Sequence, residues 1–324
     1  MKHFRLFSLL GLLSLCLSLS AQVETDNNNY FYNPRKGDDH GKHKMKQLEQ
    51  SIYLRDDFIW HAEAANVVYQ KAGNASLLSS SRYGLTDRLE LSTYLAEDVL
   101  RPNLYAKLLW RVWHNRWFFS SRFDVANAYS GFKLAQKLKV DRIISQDVEE
   151  YPLVFEIGHE FLLSRAWYQD KNCSDGSAYF ILTFGFGTYG GINFTRDIKE
   201  IQQTRFHFLA NRGKTVTDDA FRCKLKVWAD GKINGRLFLH GGLMYHAGSY
   251  MKRHAVEIQA EGEFFFNSRI SAKAGFLTSF AHYQNIEKHA AIWPIVDFTY
   301  YFGRKKLRSS TLFEKGVYHG SVGI

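Results

Sequence analysis

Residues 79–92 read Ser79-Ser80-Ser81-Arg82-Tyr83-Gly84-Leu85-Thr86-Asp87-Arg88-Leu89-Glu90-Leu91-Ser92. The residue types alternate on both sides of a short turn: Arg82 and Glu90 fall on one face, Tyr83, Leu89 and Leu91 on the other. Period-two alternation is the mark of a strand. A three-residue turn at Leu85-Thr86-Asp87 pairs Gly84 with Arg88 and sets Arg82 across from Glu90, the opposite-charge pairing that a hairpin favours. The apolar face then needs a cover, and no apolar helix follows to supply one. Lipid on one side and a polar lumen on the other satisfy both faces.

The same alternation recurs along the chain. In Leu104–Val112, Lys107 and Arg111 share a phase opposite to Leu104, Leu108, Trp110 and Val112. In Trp117–Val125, Trp117, Phe119, Phe123 and Val125 oppose Ser120, Arg122 and Asp124. In Val256–Phe264, Glu257, Gln259, Glu261 and Glu263 alternate with mostly apolar residues. A helix would spread these charges around its circumference, whereas a strand separates them. The pattern predicts twelve strands near 58–69, 75–84, 88–97, 103–113, 116–126, 150–163, 177–188, 221–230, 235–247, 254–266, 269–282 and 291–302. Most run to about ten residues or more, longer than the five or six usual in soluble sheets and suited to crossing a bilayer. Gly176–Thr195 carries no charge and competes as a spanning helix. Its glycines and the alternation of Phe180, Leu182, Phe184 and Phe186 with Thr183, Gly185 and Gly187 favour a strand.

Connections after the second, fourth, eighth and tenth of these strands are very short, while 127–149 and 189–220 are long. All the short ones fall at one end of an up-and-down barrel and both long ones at the other, the asymmetry of outer-membrane barrels. Arg165–Gly176 is long for its side. Pro102, Pro152 and Pro294 sit at strand starts or loop ends, where a missing N–H is tolerated. The expected fold is therefore all-β: a closed antiparallel transmembrane barrel over 58–302, ending in the aromatic strand Val296–Phe302. Similar hairpin arithmetic near its end sets Phe266 opposite Ile270 and Glu263 opposite Lys273.

The first 21 residues read as a cleaved export signal: Lys2 and Arg5, an apolar run from Phe7 to Leu19, then small residues to Ala21. Cys16 raises a lipoprotein reading, which the bulky Leu15 opposes. Residues 22–57 read as a polar periplasmic arm, and 303–324 as a basic tail. Asp38, Asp39, His40 and His43 lie in the arm and read as a solvated cluster, with no metal site expected. The chain carries a net charge of +10, spread along its length. On an exported protein that excess points to anionic lipid headgroups and not to nucleic acid. After export Cys173 and Cys223 remain; the topology sets them at opposite rims, so no disulfide is expected. No cofactor motif is present, and oligomeric state stays open.

The stretch Arg82–Leu91, RYGLTDRLEL, resembles the transporter-like outer-membrane barrels associated with the meta-pathway of phenol degradation. That resemblance implies a barrel and a transport role; it assigns no substrate and no site residue. The lumen-facing set from the strand phases is Arg82, Glu90, Lys107, Arg111, Arg122, Asp124, Glu156, Glu160, Lys224, Lys226, His240, Glu257, Glu261, Glu263 and Lys273. Lys224 and Lys226 are expected to reach past Gly242 toward the glutamates of 257–263, around His240. The leading expectation is a passive channel or transporter for small solutes, with outer-membrane lipids as neighbours. One alternative is a lipid hydrolase using Ser121 and His159. The other is a structural or surface-interaction barrel whose charges pair and fill the lumen.

Overall fold

The computed structural model describes residues 60–98, 101–113, 116–127, 129–138, 153–168, 178–194, 220–234, 236–249, 251–267, 269–283 and 289–303. The expected export signal, the expected arm with its Asp38–His43 cluster, Cys173 and the residues beyond 303 lie outside them. The strands are β1 (Gly73–Ser76), β2 (Ser81–Gly84), β3 (Leu89–Thr93), β4 (Asn103–Trp113), β5 (Trp117–Asn127), β6 (Val154–Tyr168), β7 (Ala178–Asn193), β8 (Ala220–Lys232), β9 (Leu237–Gly248), β10 (Met251–Phe265), β11 (Ile270–Tyr283) and β12 (His289–Phe302). Helix α1 (Leu95–Asp98) follows β3, and α2 (Tyr129–Lys137) follows β5. Each strand pairs antiparallel with the next, and β12 returns to β1, closing the barrel. Gly176–Thr195 thus yields a strand, β7.

The burial pattern is inverted relative to a soluble domain. Along β8, Arg222, Lys224, Lys226 and Asp230 are buried while Phe221, Leu225 and Val227 are exposed. Along β7, Phe184 and Phe186 are exposed and Thr183 is buried. Where the strands pair, the ladder satisfies the backbone, so the outward apolar side chains can face hydrocarbon without stranding polar groups.

Twelve strands are present, but two differences from the sequence pattern cancel in that number. Residues 60–69, expected as the first strand, form an irregular inner segment. A turn closes at once, with the Ala64 N–H bonded to the His61 carbonyl at 3.0 Å. The second expected strand, 75–84, is two: the chain reverses through Leu77–Ser80 between β1 and β2. The third stops at Thr93, and α1 begins at Leu95.

The hairpin at 79–92 is shifted by two residues from the expected register. Gly84 stands opposite Glu90 and Arg82 opposite Ser92. The turn is Thr86-Asp87-Arg88, closed by Leu85 N–H on the Leu89 carbonyl (2.9 Å), with the Thr86 hydroxyl accepting from the Arg88 and Leu89 N–H groups. A shift of two preserves the faces, so Arg82 still reaches Glu90, now diagonally: Nη2 to Oε2 is 2.8 Å and Nε to Oε1 is 3.0 Å. The β10–β11 hairpin places Glu263 opposite Lys273.

Candidate functional site: a lumen closed by an inner segment

Of the fifteen residues assigned to the lumen by phase, fourteen are buried. Arg111 is the correction. Trp110 is a β-bulge, skipped between the Leu109–Ser120 and Arg111–Phe119 pairs. The extra residue flips the alternation, so Arg111 lies exposed outside, 5.5 Å from the Trp113 ring.

The inward groups converge on Trp60–Tyr69. Lys107 Nζ on β4 donates to the carbonyls of Ala62, Ala64 and Asn66, each at 3.0 Å, and lies 3.3 Å from Glu90. Glu90 accepts from the Val68 N–H at 2.8 Å, and Arg82 Nη1 reaches the Trp60 carbonyl at 2.6 Å. Glu63 is clamped from two sides: Arg122 on β5 contacts both its oxygens at 3.0 Å, and Lys226 on β8 sits 2.5 Å away. Glu160 on β6 ties Arg122 to Lys224 and Lys226. On the far side His61 stacks on Trp228 at 4.7 Å and contacts Glu261 at 3.0 Å. The segment's apolar residues, Trp60, Ala64, Ala65 and Val67, pack into one cluster with Leu109, Phe118, Leu162 and Phe238.

Glycine makes this possible at one point. Gly185 and Gly187 occupy inward positions of β7, between Glu160 on β6 and the lysines of β8. A Cβ on Gly185 would come within 2.8 Å of Lys226 Cε and 3.0 Å of Glu160 Oε1. The missing side chains let the pair meet across an intervening strand. Lys224 and Lys226 therefore turn toward Glu160, and not past Gly242 toward β10 as the sequence suggested.

His240 lies between two carboxylates, Asp230 at 2.8 Å and Glu263 at 3.4 Å. Glu263 also accepts from the Tyr301 hydroxyl at 2.6 Å and from the Ser271 hydroxyl. A cavity of about 20 Å³, lined by His61, Arg82, His240 and Glu263 among others, adjoins this cluster. That is room for about one water. Toward the loop end, Glu156 pairs with Arg101 at 2.7 Å and Arg222 at 3.6 Å, and His246 joins Arg222 to Glu257. Asp124 is buried beside Gly158 with no ion pair among the described residues.

Sequence reasoning missed Glu63, His61 and Asp230. Asp230 was legible, since it continues the inward phase of Lys226 and Trp228. Glu63 and His61 were not, because they belong to the segment taken for a strand. Ser121 and His159, the hydrolase candidates, lie on the same outward face of β5 and β6, two positions out of register. Ser121 stands opposite Phe161 and accepts from Trp110 Nε1 at 2.8 Å; His159 stands opposite Phe123 and packs edge-on to Phe161 at 4.5 Å.

No protein-family model matches the chain, and no curated protein matches it. Among solved structures, a bacterial polysaccharide outer membrane secretin is similar over 71% of this chain and 70% of its own, at 11% identity and a TM-score of 0.38. The Yersinia pestis outer membrane protein Ail, in a phospholipid bilayer nanodisc, is similar over 48% of this chain and 87% of its own, at 13% identity and a TM-score of 0.23. Both likenesses are partial, and the functional reading below rests on this barrel's own geometry.

Proposed function

We propose that the chain is an outer-membrane conduit for small solutes whose axial path is shut at rest by its own segment Trp60–Tyr69. The observation that carries this reading is Lys107, which donates to three backbone carbonyls of that segment. It does so beside its 3.3 Å ion pair with Glu90, which alone would serve a cation that only filled space. Here the wall grips the main chain of an otherwise irregular strap, the arrangement of a plug. The resemblance of Arg82–Leu91 to transporter-like barrels agrees with a conduit.

The test is conductance in planar bilayers, comparing wild type with a variant in which Glu63 and Lys107 are both replaced by Ala. Wild type is expected to be silent and the variant to show discrete openings. If the variant stays silent although its 60–69 segment has become protease-sensitive, the conduit reading fails. The alternative then stands: a barrel filled for structural or surface-binding reasons.

A further inference from the structure

Arg111 and Arg165 stand on the outside of the barrel, among the apolar residues of the outward phase. Arg165 on β6 lies directly across from Trp117 on β5, and Trp117 lies across from Trp113 on β4. One rung further from the β4–β5 turn, Arg111 lies across from Phe119. Both arginines are exposed, and Trp113, Trp117 and Phe119 are half-buried. An arginine on the lipid face is costly at the bilayer midplane and tolerated near its edges. The nearness of the turn and the tryptophans around the pair mark that edge, the aromatic belt at the membrane interface.

The placement of Arg111 is made by the backbone. Regular alternation along β4 would send it into the lumen with Lys107. The bulge at Trp110 turns it outward, and the Trp110 indole N–H, donating to the Ser121 hydroxyl at 2.8 Å, pins the bulged residue. A bulge that re-aims a side chain is a built feature of a strand. Here it brings a second guanidinium to the side of the wall that already carries Arg165. Two strand spacings and one rung separate their Cα atoms by roughly 12 Å, within the combined reach of two arginine side chains closing on one group.

Both cations are backed by indole rings. Arg165 lies 5.2 Å from the Trp117 ring and 4.8 Å from the Trp167 ring, and Arg111 lies 5.5 Å from the Trp113 ring. An indole face orients a guanidinium and leaves its N–H fork open to an acceptor. Among the described residues the arginine ion pairs are those of Arg82, Arg101, Arg122 and Arg222, all in the lumen. No described carboxylate pairs with Arg111 or Arg165.

Beyond the two arginines the outward face is hollow. A groove of about 480 Å³ runs along it, lined by Phe119, Phe161, Leu163, Phe184, Leu225 and Tyr245 among others. That volume lies in the range of pockets that hold small organic ligands, roughly 300–1,000 Å³. Phe119, across from Arg111, and Leu163, two residues before Arg165, form the near end of the groove. A pair of cations thus heads an apolar trough.

We propose that this outer face binds one anionic glycerophospholipid of the turn-side leaflet. Its phosphodiester is gripped between Arg111 and Arg165, and one acyl chain lies in the groove beyond Phe119 and Leu163. Guanidinium forks match phosphate oxygens bidentately. A zwitterionic headgroup would bring a cation of its own beside the arginines, so the charge complementarity is with an anionic lipid. The site lies outside the wall and is independent of whether the Trp60–Tyr69 segment moves.

The experiment counts lipids. The full chain, folded in a non-ionic detergent with phosphatidylglycerol or phosphatidylcholine added, is read by native mass spectrometry. Wild type is compared with the double variant Arg111→Gln, Arg165→Gln and with Arg269→Gln, which removes an exposed turn arginine from another hairpin. Wild type should hold one phosphatidylglycerol about twenty-five-fold more tightly than the double variant, about fivefold for each arginine near an anionic lipid. Arg269→Gln should match wild type, and phosphatidylcholine should be held alike by all three. Equal retention of phosphatidylglycerol by wild type and the double variant means that the arginines are met within the protein, and overturns the site. A loss shared by Arg269→Gln is a general charge effect and overturns it equally. Glycerophosphoglycerol, the same headgroup without chains, should not displace the lipid; displacement means a site for soluble phosphodiesters and overturns the assignment. Should the double variant fail to fold, wild type in phosphatidylcholine vesicles gives a second reading. A small share of phosphatidylglycerol brominated on its acyl chains should quench tryptophan emission more than the same share of brominated phosphatidylcholine; equal quenching overturns the site.

Discussion

Replacing Lys107 by Met keeps the length of the side chain and removes its three donors. The buried carbonyls of Ala62, Ala64 and Asn66 then lose their shared partner. Glu90 keeps Arg82 and the Val68 N–H, so its carboxylate is not abandoned. Breaking one side of a buried charged network costs about 3–5 kcal/mol. The Ala62 carbonyl keeps Arg122 Nη1 at 3.5 Å, so two carbonyls are orphaned, about 2–6 kcal/mol at 1–3 each. Both ranges centre on about 4 kcal/mol. It corresponds to about a thousandfold rise in the released fraction of the segment, at tenfold per 1.4 kcal/mol. The β-ladders are untouched, so the barrel itself should remain folded. Hydrogen exchange reads this directly: the Ala65 and Val68 amides, held by Ser164 and Glu90, should lose protection by two to three orders of magnitude, about what that free energy allows, while amides of β7 and β10 stay slow. Protection of Ala65 and Val68 within a few-fold of wild type would refute the argument that Lys107 anchors the plug.

Gly185 and Gly190 lie on the same strand with opposite facing, and they should respond differently. Gly185→Leu forces apart Lys226 and Glu160 and should lower the unfolding midpoint measured by tryptophan emission in detergent, while Gly190→Leu, whose nearest neighbour is 3.9 Å away, should leave it nearly unchanged. Gly84→Ala puts a methyl about 2.0 Å from the Tyr69 carbonyl oxygen, where the inner segment crosses β2. It should cost several kcal/mol by displacing backbone, read as a loss of folded yield far larger than for Gly262→Ala, where the nearest atom is 3.6 Å away. Cys223 is a free thiol on the outward phase of β8, so non-reducing mass spectrometry should find it unbridged. A membrane-permeant maleimide should label it faster than a charged one.

The turn chemistry shows what was available in the sequence and overlooked. Leu85-Thr86-Asp87-Arg88-Leu89, Ile233-Asn234-Gly235-Arg236-Leu237 and Phe266-Asn267-Ser268-Arg269-Ile270 follow one recipe: apolar, Thr or Asn, any residue, Arg, apolar. In each, the Thr or Asn side-chain oxygen accepts from the two N–H groups that close the turn. Aligning the first hairpin on the third would have moved its turn from 85–87 to 86–88 and corrected the register by two.

The sequence alone determined the faces. Alternation with period two assigns each residue to lumen or lipid wherever the strand is regular, because successive side chains point to opposite sides of a pleated backbone. This is why Glu257, Glu261, Lys224 and Phe184 were placed correctly by phase, and why Arg111, beyond the Trp110 bulge, was not. Tertiary structure decided the neighbours. Which carboxylate meets Lys226 depends on the glycines of β7 and on the depth at which Glu63 hangs inside. Whether 60–69 is wall or plug depends on whether the closed ladder has a place for it, and β12 closes on β1 instead.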